Sequence, residues 1–218
     1  MRFAALETST EWCSVALWRD GEIAAVERRA GNRHSDLALP MLERLLSAAA
    51  MTAAQLDAVA FGAGPGSFTG LRIACGLAQG LAFAAAIPVI GISTLEALAE
   101  ESGAARVVAC LDARMREVYY SALEKQAGRW KAIVPAQCVS PDAVTPIGDD
   151  WVGCGNGFAV YGNLGLTRVL AEVHPSALAV AKLAAPRLAA GEGVDAALAA
   201  PIYVREKVAF TKAELERR

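Results

Sequence analysis

The sequence predicts an α/β protein with two lobes, the first spanning residues 1–102 and the second residues 103–218. Each half begins with strand-like runs joined by short polar turns and continues with further strands and helices, a pattern typical of α/β folds. A length of 218 residues is sufficient for two small lobes with real cores. No low-complexity linker separates the halves, so we expect them to pack closely.

The first half opens with three predicted strands and a helix. Short polar turns at Ser9–Glu11 and Asp20–Gly21 separate the strand-like runs. The run SDLALPMLERLLSAAA then has helical periodicity, with Ser35 as its predicted N-cap. Because Pro40 lacks a backbone N–H, we expect either a later start of this helix or a kink. The three strands are RFAALET, CSVALWR and GEIAAVERR.

The rest of the first half alternates strands and helices. DAVAFG and PVIGIS are short apolar runs that predict buried strands. Phe68–Ala86 predicts a long helix, and TLEALAEES predicts a shorter one. The first lobe therefore contains three strands followed by helix, strand, helix, strand and helix.

The second half repeats this theme more loosely. RVVACLDAR and EVYYSALEK predict two strands, and Arg129–Pro135 predicts a third. A polar connection that contains proline leads to the short strand DWVGCG, and helices follow around Ser176–Ala190.

The apolar composition raises the question of a membrane span, since hydrophobic residues make up 55% of the chain and the mean hydropathy is +0.34. Residues 71–92 are long enough to cross a bilayer. They include Arg72 and Gln79, however, and Pro88 breaks the run ahead of a strand-like segment, which favours a buried helix and a buried strand. The N-terminal segment turns polar at Glu7, too early for a secretory signal. We therefore expect a cytoplasmic protein without a membrane span.

Charge and cysteine usage exclude other classes. The net charge is -2 and the pI is near 5.8, so the chain has no global electrostatic footprint for nucleic acid. The five cysteines are odd in number, widely spaced and never CxxC, which indicates reduced thiols rather than disulfides or a zinc site. Two histidines, His34 and His174, are too few for a His-rich metal site.

The glycine-rich stretch GAGPGSFTGLR, residues 62–72, lies between a predicted strand and a predicted helix. A P-loop requires GxxxxGK[ST], and here no lysine lies nearby, while the GxGxxG pattern fails because its last position is Ser67. The helix N-terminus has N–H groups that attract an anion. The alternative, which we favour, is structural: glycines let the turn approach the sheet, and Ser67 or Thr69 caps the helix.

Two predicted helices have faces that are half apolar. On the long helix, Ile73, Leu77, Gly80 and Ala84 form one face that we expect to lie on the sheet. A second face of this helix and a similar stripe on the preceding helix are too apolar for open solvent and too polar for a core, which favours a protein interface. An ordinary surface is the alternative. This partner stripe consists of Met41, Arg44, Ala48, Arg72, Gly76, Gln79 and Phe83.

Five segments carry a family resemblance: ALETSTEWCSVALW, HSDLALPMLERLL, AFGAGPGSFTGLRIACGLAQGLA, PVIGISTLEALA and LDARMREVYY, in that order. They resemble the TsaB family, bacterial subunits needed to form N6-threonylcarbamoyladenosine at position 37 of tRNAs that read ANN codons. The resemblance is dense over the first 120 residues and looser from there to PIYVRE. It implies the two-lobed, ribonuclease H-like fold shared by actin, sugar kinases and heat-shock ATPases.

The resemblance implies a role as a partner subunit. In this family TsaB pairs with its catalytic paralogue TsaD through two helices from each protein, and the ATPase TsaE completes the assembly. The partner stripe would then contact TsaD, and tRNA would bind only through the complex. The sequence leaves open whether the isolated chain is a monomer or a homodimer.

The resemblance also implies that this chain has no catalytic, cofactor-binding or metal-binding residues. The catalytic paralogue has metal-binding histidines in an HxxxH pattern, and Thr94 and Leu98 stand at those positions here. Neither side chain can replace imidazole at a transition metal. Glu7 departs from the aspartate usual in TsaB proteins and matches the catalytic paralogue. The alternative functions are a nucleotide-dependent kinase or ATPase of this fold and a peptidase, although the peptidase lacks a nucleophile–base pair or HExxH motif.

Overall fold

The computed structural model describes residues 1–145 and 147–205, so the end of the predicted second lobe, residues 206–218, lies outside the described residues. Ten strands form two five-stranded sheets within this part of the chain. The first sheet contains β1 (Arg2–Glu7), β2 (Trp12–Arg19), β3 (Glu22–Arg29), β4 (Ala58–Gly64) and β5 (Val89–Ser93). The second contains β6 (Arg106–Arg114), β7 (Glu117–Gln126), β8 (Arg129–Val139), β9 (Val152–Cys154) and β10 (Arg168–Leu170).

Both sheets have the same topology. The first has the order β3-β2-β1-β4-β5, with β1, β2 and β3 antiparallel and with β4 and β5 parallel to β1. The second has the order β8-β7-β6-β9-β10, with the same directions at the corresponding positions. This duplication confirms the predicted α/β, ribonuclease H-like fold.

Among the described residues, five α-helices flank the sheets: α1 (His34–Ala48), α2 (Phe68–Ala85), α3 (Thr94–Glu101), α4 (Asn156–Tyr161) and α5 (Ala177–Ala189). Two predictions for α1 are corrected. Its N-cap is Arg33, which makes no side-chain cap bond, rather than Ser35. The helix also starts before Pro40, so of the two alternatives at Pro40 the later start is wrong. Pro40 removes one bond to the carbonyl of Asp36, and both residues are exposed, so water can reach that carbonyl.

The first sheet is covered on both faces. Alternate residues of β1 point to opposite sides, so Ala4 and Leu6 pack with the cluster that includes α1 and α2, while Phe3 and Ala5 pack with α5. Helix α3 lies between the sheets, because its Ala97 joins the first-sheet cluster and its other apolar residues join the second-sheet cluster. The halves pack closely, as expected.

The C-terminal part of the described chain returns to the first sheet. Helix α5 packs on β1, β2 and β4, and the single-turn helix Ala196–Leu198 packs against α2. All strands of the first sheet lie before the predicted boundary at residue 102, and all strands of the second sheet lie after it. Helix α5, in contrast, comes after the second sheet in the sequence but packs on the first sheet. The division into domains itself stays a prediction.

The predicted core face of α2 is wrong. Ile73 and Leu77 are only half-buried, and Gly80 and Ala84 are exposed. The face that packs on the sheet instead consists mainly of smaller side chains, because these let the helix backbone approach β4 closely. The buried residues are Gly70, Leu71, Ala74, Cys75, Ala78 and Ala82.

Helix α2 is also the one helix in residues 1–145 and 147–205 that is long and apolar enough, by length and composition, to cross a membrane. About a third of its residues are buried against the rest of the fold. The apolar residues of α2 thus form two groups: one group covers the sheet, and the other faces outward.

Several elements of the second half differ from the sequence-based expectation. Strand β8 continues to Val139 instead of ending near Pro135. Proline is tolerated there because β8 is an edge strand, where one side of the backbone has no partner strand. Helix α4 and strand β10 were not predicted, since both are too short to show periodicity.

We predict that Ala78→Leu destabilises the protein by about 1–3 kcal/mol, because the fully buried Ala78 lies in the close contact between α2 and the sheet. Urea unfolding followed by circular dichroism measures the effect. The matched control is Gly80→Ala on the outward face, where a Cβ has no atom within 4 Å, and it should stabilise the helix by about 0.5–1 kcal/mol. Unchanged stability of Ala78→Leu would contradict this packing.

Candidate functional site

The glycine-rich loop lies directly against the β1–β2 turn. A Cβ on Gly62 would overlap the Glu7 carboxylate, and one on Gly70 would overlap the carbonyl of Thr8. The Thr8 hydroxyl in turn donates to the carbonyl of Gly70 at 2.7 Å. At the start of α2, Ser67 is the N-cap and its side chain accepts from the backbone N–H of Gly70 at 3.4 Å. The structural interpretation of the loop is therefore confirmed, with Ser67 rather than Thr69 as the cap.

Glu7 is buried beneath this loop, with a residue exposure of 1%. Its Oε1 accepts a hydrogen bond from the backbone N–H of Ser9 at 2.7 Å, while Oε2 has no hydrogen-bond partner in the described part of the chain. Desolvation by burial raises the pKa of Glu7, and the bonds from Ser9 only partly oppose it. Glu7 is thus a buried acid, packed against Gly62.

The two positions that correspond to the metal-binding histidines of the catalytic paralogue are also buried. Thr94 follows the N-cap Ser93 at the start of α3, and both Thr94 and Leu98 are fully buried. His34 donates its Nε2–H to the carbonyl of Thr10 at 2.9 Å, and the ring of His174 stacks on Trp12 at 4.4 Å. Residues 1–145 and 147–205 contain no group of three His, Cys, Asp or Glu side chains arranged to hold a metal ion.

An interlobe cleft of about 930 Å³ separates the start of α2 from the β6–β7 turn. Asp112 lies in its wall, where Oδ1 accepts from the backbone N–H of Arg114 at 2.9 Å and from the Tyr161 hydroxyl at 3.1 Å. This carboxylate therefore caps the β6–β7 turn. Phe68, Met115 and Tyr203 make part of the cleft lining apolar.

On α2 the partner stripe faces outward. Phe83 is 80% exposed, and Arg72 and Gly76 are exposed as well. Apart from the backbone of α2 itself, no atom in the described part of the chain lies within 4 Å of the position that a Cβ would take on Gly76 or on Gly80. Because Ile73 and Leu77, which were expected in the core, are only half-buried, this face is more apolar than the sequence predicted.

Two members of the stripe bind the chain's own C-terminal strap, which we define as residues 199–205. Gln79 donates from Nε2 to the carbonyl of Ala199 at 3.1 Å and is half-buried. Arg72 donates from Nε to the hydroxyl of Tyr203 at 3.1 Å, and its guanidinium lies 3.8 Å from the ring centre of Phe68. These contacts hold both long side chains against the surface.

On α1 only part of the predicted stripe faces outward. Arg44 and Ala48 are exposed, as predicted. Met41 is 4% exposed and packs with Ala38 and Leu42 in the first-sheet core, so it does not belong to an outward stripe. The apolar arc of α1 is wide enough to include Met41 because strand β2 and the edge of α2 both cover this helix.

Part of this surface comes from the C-terminal region and was not predicted from the sequence. Leu198, Ile202 and Tyr203 are large apolar residues that remain exposed next to α2. For Ile202 and Tyr203 the sequence signal was the apolar run after Pro201, although this segment is too short to form a strand or helix of its own. Together with Phe68 and Phe83 they extend the outward face of α2 into a larger apolar patch.

A family model, several relatives and a solved structure match this chain. A family model described as "TsaD: tRNA N6-adenosine threonylcarbamoyltransferase" matches residues 26–211. The tRNA threonylcarbamoyladenosine biosynthesis protein TsaB of Escherichia coli K12 is 36% identical, over 97% of this chain and 98% of its own length. The protein of the same name from Haemophilus influenzae is 38% identical, over 95% of each chain. The solved structure of YeaZ from Pseudomonas aeruginosa has a TM-score of 0.87 and 40% identity, and the match covers 93% of this chain and 99% of that one.

We predict that Glu7→Gln stabilises the protein at neutral pH and that this gain disappears in acid. Since burial raises the folded-state pKa of Glu7 above its ordinary value of 4.5, the folded chain binds the proton more tightly than the unfolded chain. The stabilising contribution of the protonated carboxyl is complete below the unfolded pKa and is lost as the pH rises through the folded pKa. Glutamine keeps the shape without this loss.

Urea unfolding of both proteins between about pH 4 and pH 8 measures the difference, because this window contains the ordinary carboxyl range and extends well above it. The exposed Glu43→Gln variant on α1 is the control for a general change in charge. A difference between Glu7→Gln and wild type that stays constant across this window would contradict a raised pKa for the buried Glu7 carboxyl.

Proposed function

This chain belongs to the TsaB family of tRNA threonylcarbamoyladenosine biosynthesis proteins, and we propose that it serves that pathway as a non-catalytic subunit. Its proposed task is to bind and activate the catalytic transferase TsaD, with the ATPase TsaE as a further member of the complex. The family relation supplies the pathway. The proposed contacts with TsaD lie on the outward surface of α1 and α2.

The observation that carries the proposal is the outward face of α2. Gly76 and Gly80 leave open space on the helix, and Phe83 projects beside them into solvent. Small residues let the backbone of a second helix approach closely, while an exposed aromatic side chain supplies apolar area to bury. Arg72 lies at one end of this face, and arginine and aromatic residues are the types enriched at binding hot spots. Arg44 and Ala48 continue the proposed surface on α1.

A non-catalytic role is supported by the site that the fold places between its lobes. The loop after Gly62 has no lysine to reach a phosphate. Thr94 and Leu98 occupy the histidine positions of the catalytic paralogue and are buried. Glu7 is buried under Gly62 with a raised pKa, so its burial does not favour a charged carboxylate that would act in the cleft.

Binding of tRNA is proposed to depend on the complex. The chain carries a net charge of -2, which opposes strong phosphate binding by the isolated subunit. We propose a cytoplasmic location, where the tRNA substrate of the pathway is found.

We predict that Gly76→Trp weakens binding to TsaD by at least about tenfold, since an indole on the open part of α2 keeps the partner helix away. Thermal unfolding of the variant alone should stay close to wild type, because exposed substitutions change stability by about 0.5 kcal/mol or less. Titration calorimetry with the TsaD of the same organism measures the affinity.

The matched control for this substitution is Ala159→Trp, which adds the same side chain to an exposed position on α4. It should bind TsaD as wild type does. Normal binding by Gly76→Trp, or equal weakening by Ala159→Trp, would show that the face of α2 is not the contact surface.

We also predict that the purified chain neither hydrolyses ATP nor binds a divalent metal ion stoichiometrically, because the loop lacks its lysine and the metal positions lack imidazole. Phosphate release and metal analysis test this on the isolated chain, and product formation on tRNA with TsaD and TsaE tests its requirement in the complex. ATP turnover that disappears on Glu7→Ala would instead support the alternative of a nucleotide-dependent kinase or ATPase.

A further inference from the structure

We propose that the C-terminal strap positions the partner-binding face of α2 and that Arg205 locks the strap onto the second lobe. This inference rests on the proposed function, because it concerns how that binding face is held. Arg205 is then a positioning residue: it lies off the outward face of α2 and acts on partner binding through the strap.

The strap and the segment before it are fixed to the first lobe by backbone hydrogen bonds. Val194 and Val89 exchange two backbone hydrogen bonds, at 2.8 and 2.9 Å. Further along, the N–H of Ile202 donates to the carbonyl of Ala63 at 2.7 Å. The carbonyl of Ile202 approaches Gly64 so closely that a Cβ there would lie 2.5 Å from it. The path of the strap beside α2 is therefore defined by the backbone.

From this path the strap orders two side chains of the proposed binding face. The carbonyl of Ala199 holds Gln79, and the hydroxyl of Tyr203 holds Arg72. The rings of Tyr203 and Phe68 lie 5.7 Å apart, which places Arg72 in a cluster with two aromatic side chains. Long side chains that are already ordered lose less entropy on binding, so the strap preorganises the face.

Two residues after Tyr203, the strap crosses to the second lobe. The Nη2 group of Arg205 donates to the Glu117 carboxylate at 2.8 Å and to the carbonyl of Ala113 at 2.9 Å. The guanidinium also lies 5.7 Å from the ring centre of Tyr119. The side chains of Arg205 and Glu117 are 13% and 16% exposed, so this ion pair is shielded more than a typical surface pair.

The β6–β7 turn that Arg205 binds has an unfavourable backbone. Arg114, Met115 and Arg116 have φ values of 60°, 56° and 58°, which puts three consecutive non-glycine residues in the left-handed region. Such a conformation persists only where the surroundings hold it. Arg205 supplies such contacts, because it binds the carbonyl of Ala113 and, at 3.4 Å, that of Arg114. One side chain thus holds both the turn and the end of the strap.

The first test is hydrogen exchange on the isolated full-length chain. Loss of the Arg205 guanidinium in Arg205→Ala should raise amide exchange about tenfold or more in residues 113–117 and 199–203, because the charged hydrogen bonds that tie the end of the strap to Ala113 and Glu117 disappear. The control is Arg106→Ala, which removes an arginine paired with Glu124 and Asp150 at the other end of β6 and should not change exchange in the strap.

The second test is affinity for TsaD, measured by titration calorimetry. Arg205→Ala should weaken binding about tenfold, and Arg205→Lys should be intermediate because an ammonium group lacks the planar fork of guanidinium. Tyr203→Phe removes only the hydroxyl that holds Arg72, so it should weaken binding about threefold without changing exchange in residues 113–117. It keeps the proposal testable if Arg205→Ala does not fold.

Unchanged exchange in the strap of Arg205→Ala would overturn the anchoring role. Increased exchange with unchanged affinity for TsaD, or wild-type affinity of Tyr203→Phe, would overturn the positioning role. Failure of the proposed function is distinguishable from these results. In that case Gly76→Trp binds TsaD normally, while the exchange experiment on the isolated chain still reports whether Arg205 holds the strap.

Discussion

The close approach of α2 to the first sheet is the constraint on which the rest of this structure depends. Alanine, cysteine and glycine occupy nearly the whole buried stripe of the helix, and Gly70 touches the backbone of Thr8. Close packing of small residues leaves no space for bulky side chains on that side. Ile73, Leu77 and Phe83 therefore turn partly or wholly toward solvent. The same packing that builds the core thus creates an apolar outer surface.

This arrangement makes α2 suited to the proposed partner role. The glycine-rich loop uses its lack of side chains to pack on Glu7 and Ser9, so the glycines are needed whether or not a phosphate binds. The helix that follows the loop is consequently held in place by the sheet itself. A rigid helix that exposes small and aromatic residues is a surface on which another helix can pack with little loss of entropy.

The duplicated topology gives the protein two similar sheets that contribute differently to the proposed binding surface. The first lobe carries both helices of the proposed binding surface, and the second supplies the β6–β7 turn that Arg205 contacts. Helices α3 and α5 join the lobes, because α3 lies between the sheets and α5 returns to the first one. The lobes are therefore connected by packing as well as by the chain, which makes a contact on one lobe sensitive to the position of the other.

The sequence alone predicted the order of β1 to β9 and of the long helices, the family resemblance, the structural role of the glycine loop and the outward position of Arg72, Gly76 and Phe83. These features depend on local periodicity, turn residues and residue types that a single sequence displays directly. Tertiary structure alone decided which face of α2 lies on the sheet, because both faces are similarly apolar and only the available space separates them. It also decided that Met41 is buried and that Gln79 and Arg72 bind the strap, since these contacts join residues that are distant in sequence and leave no periodic pattern.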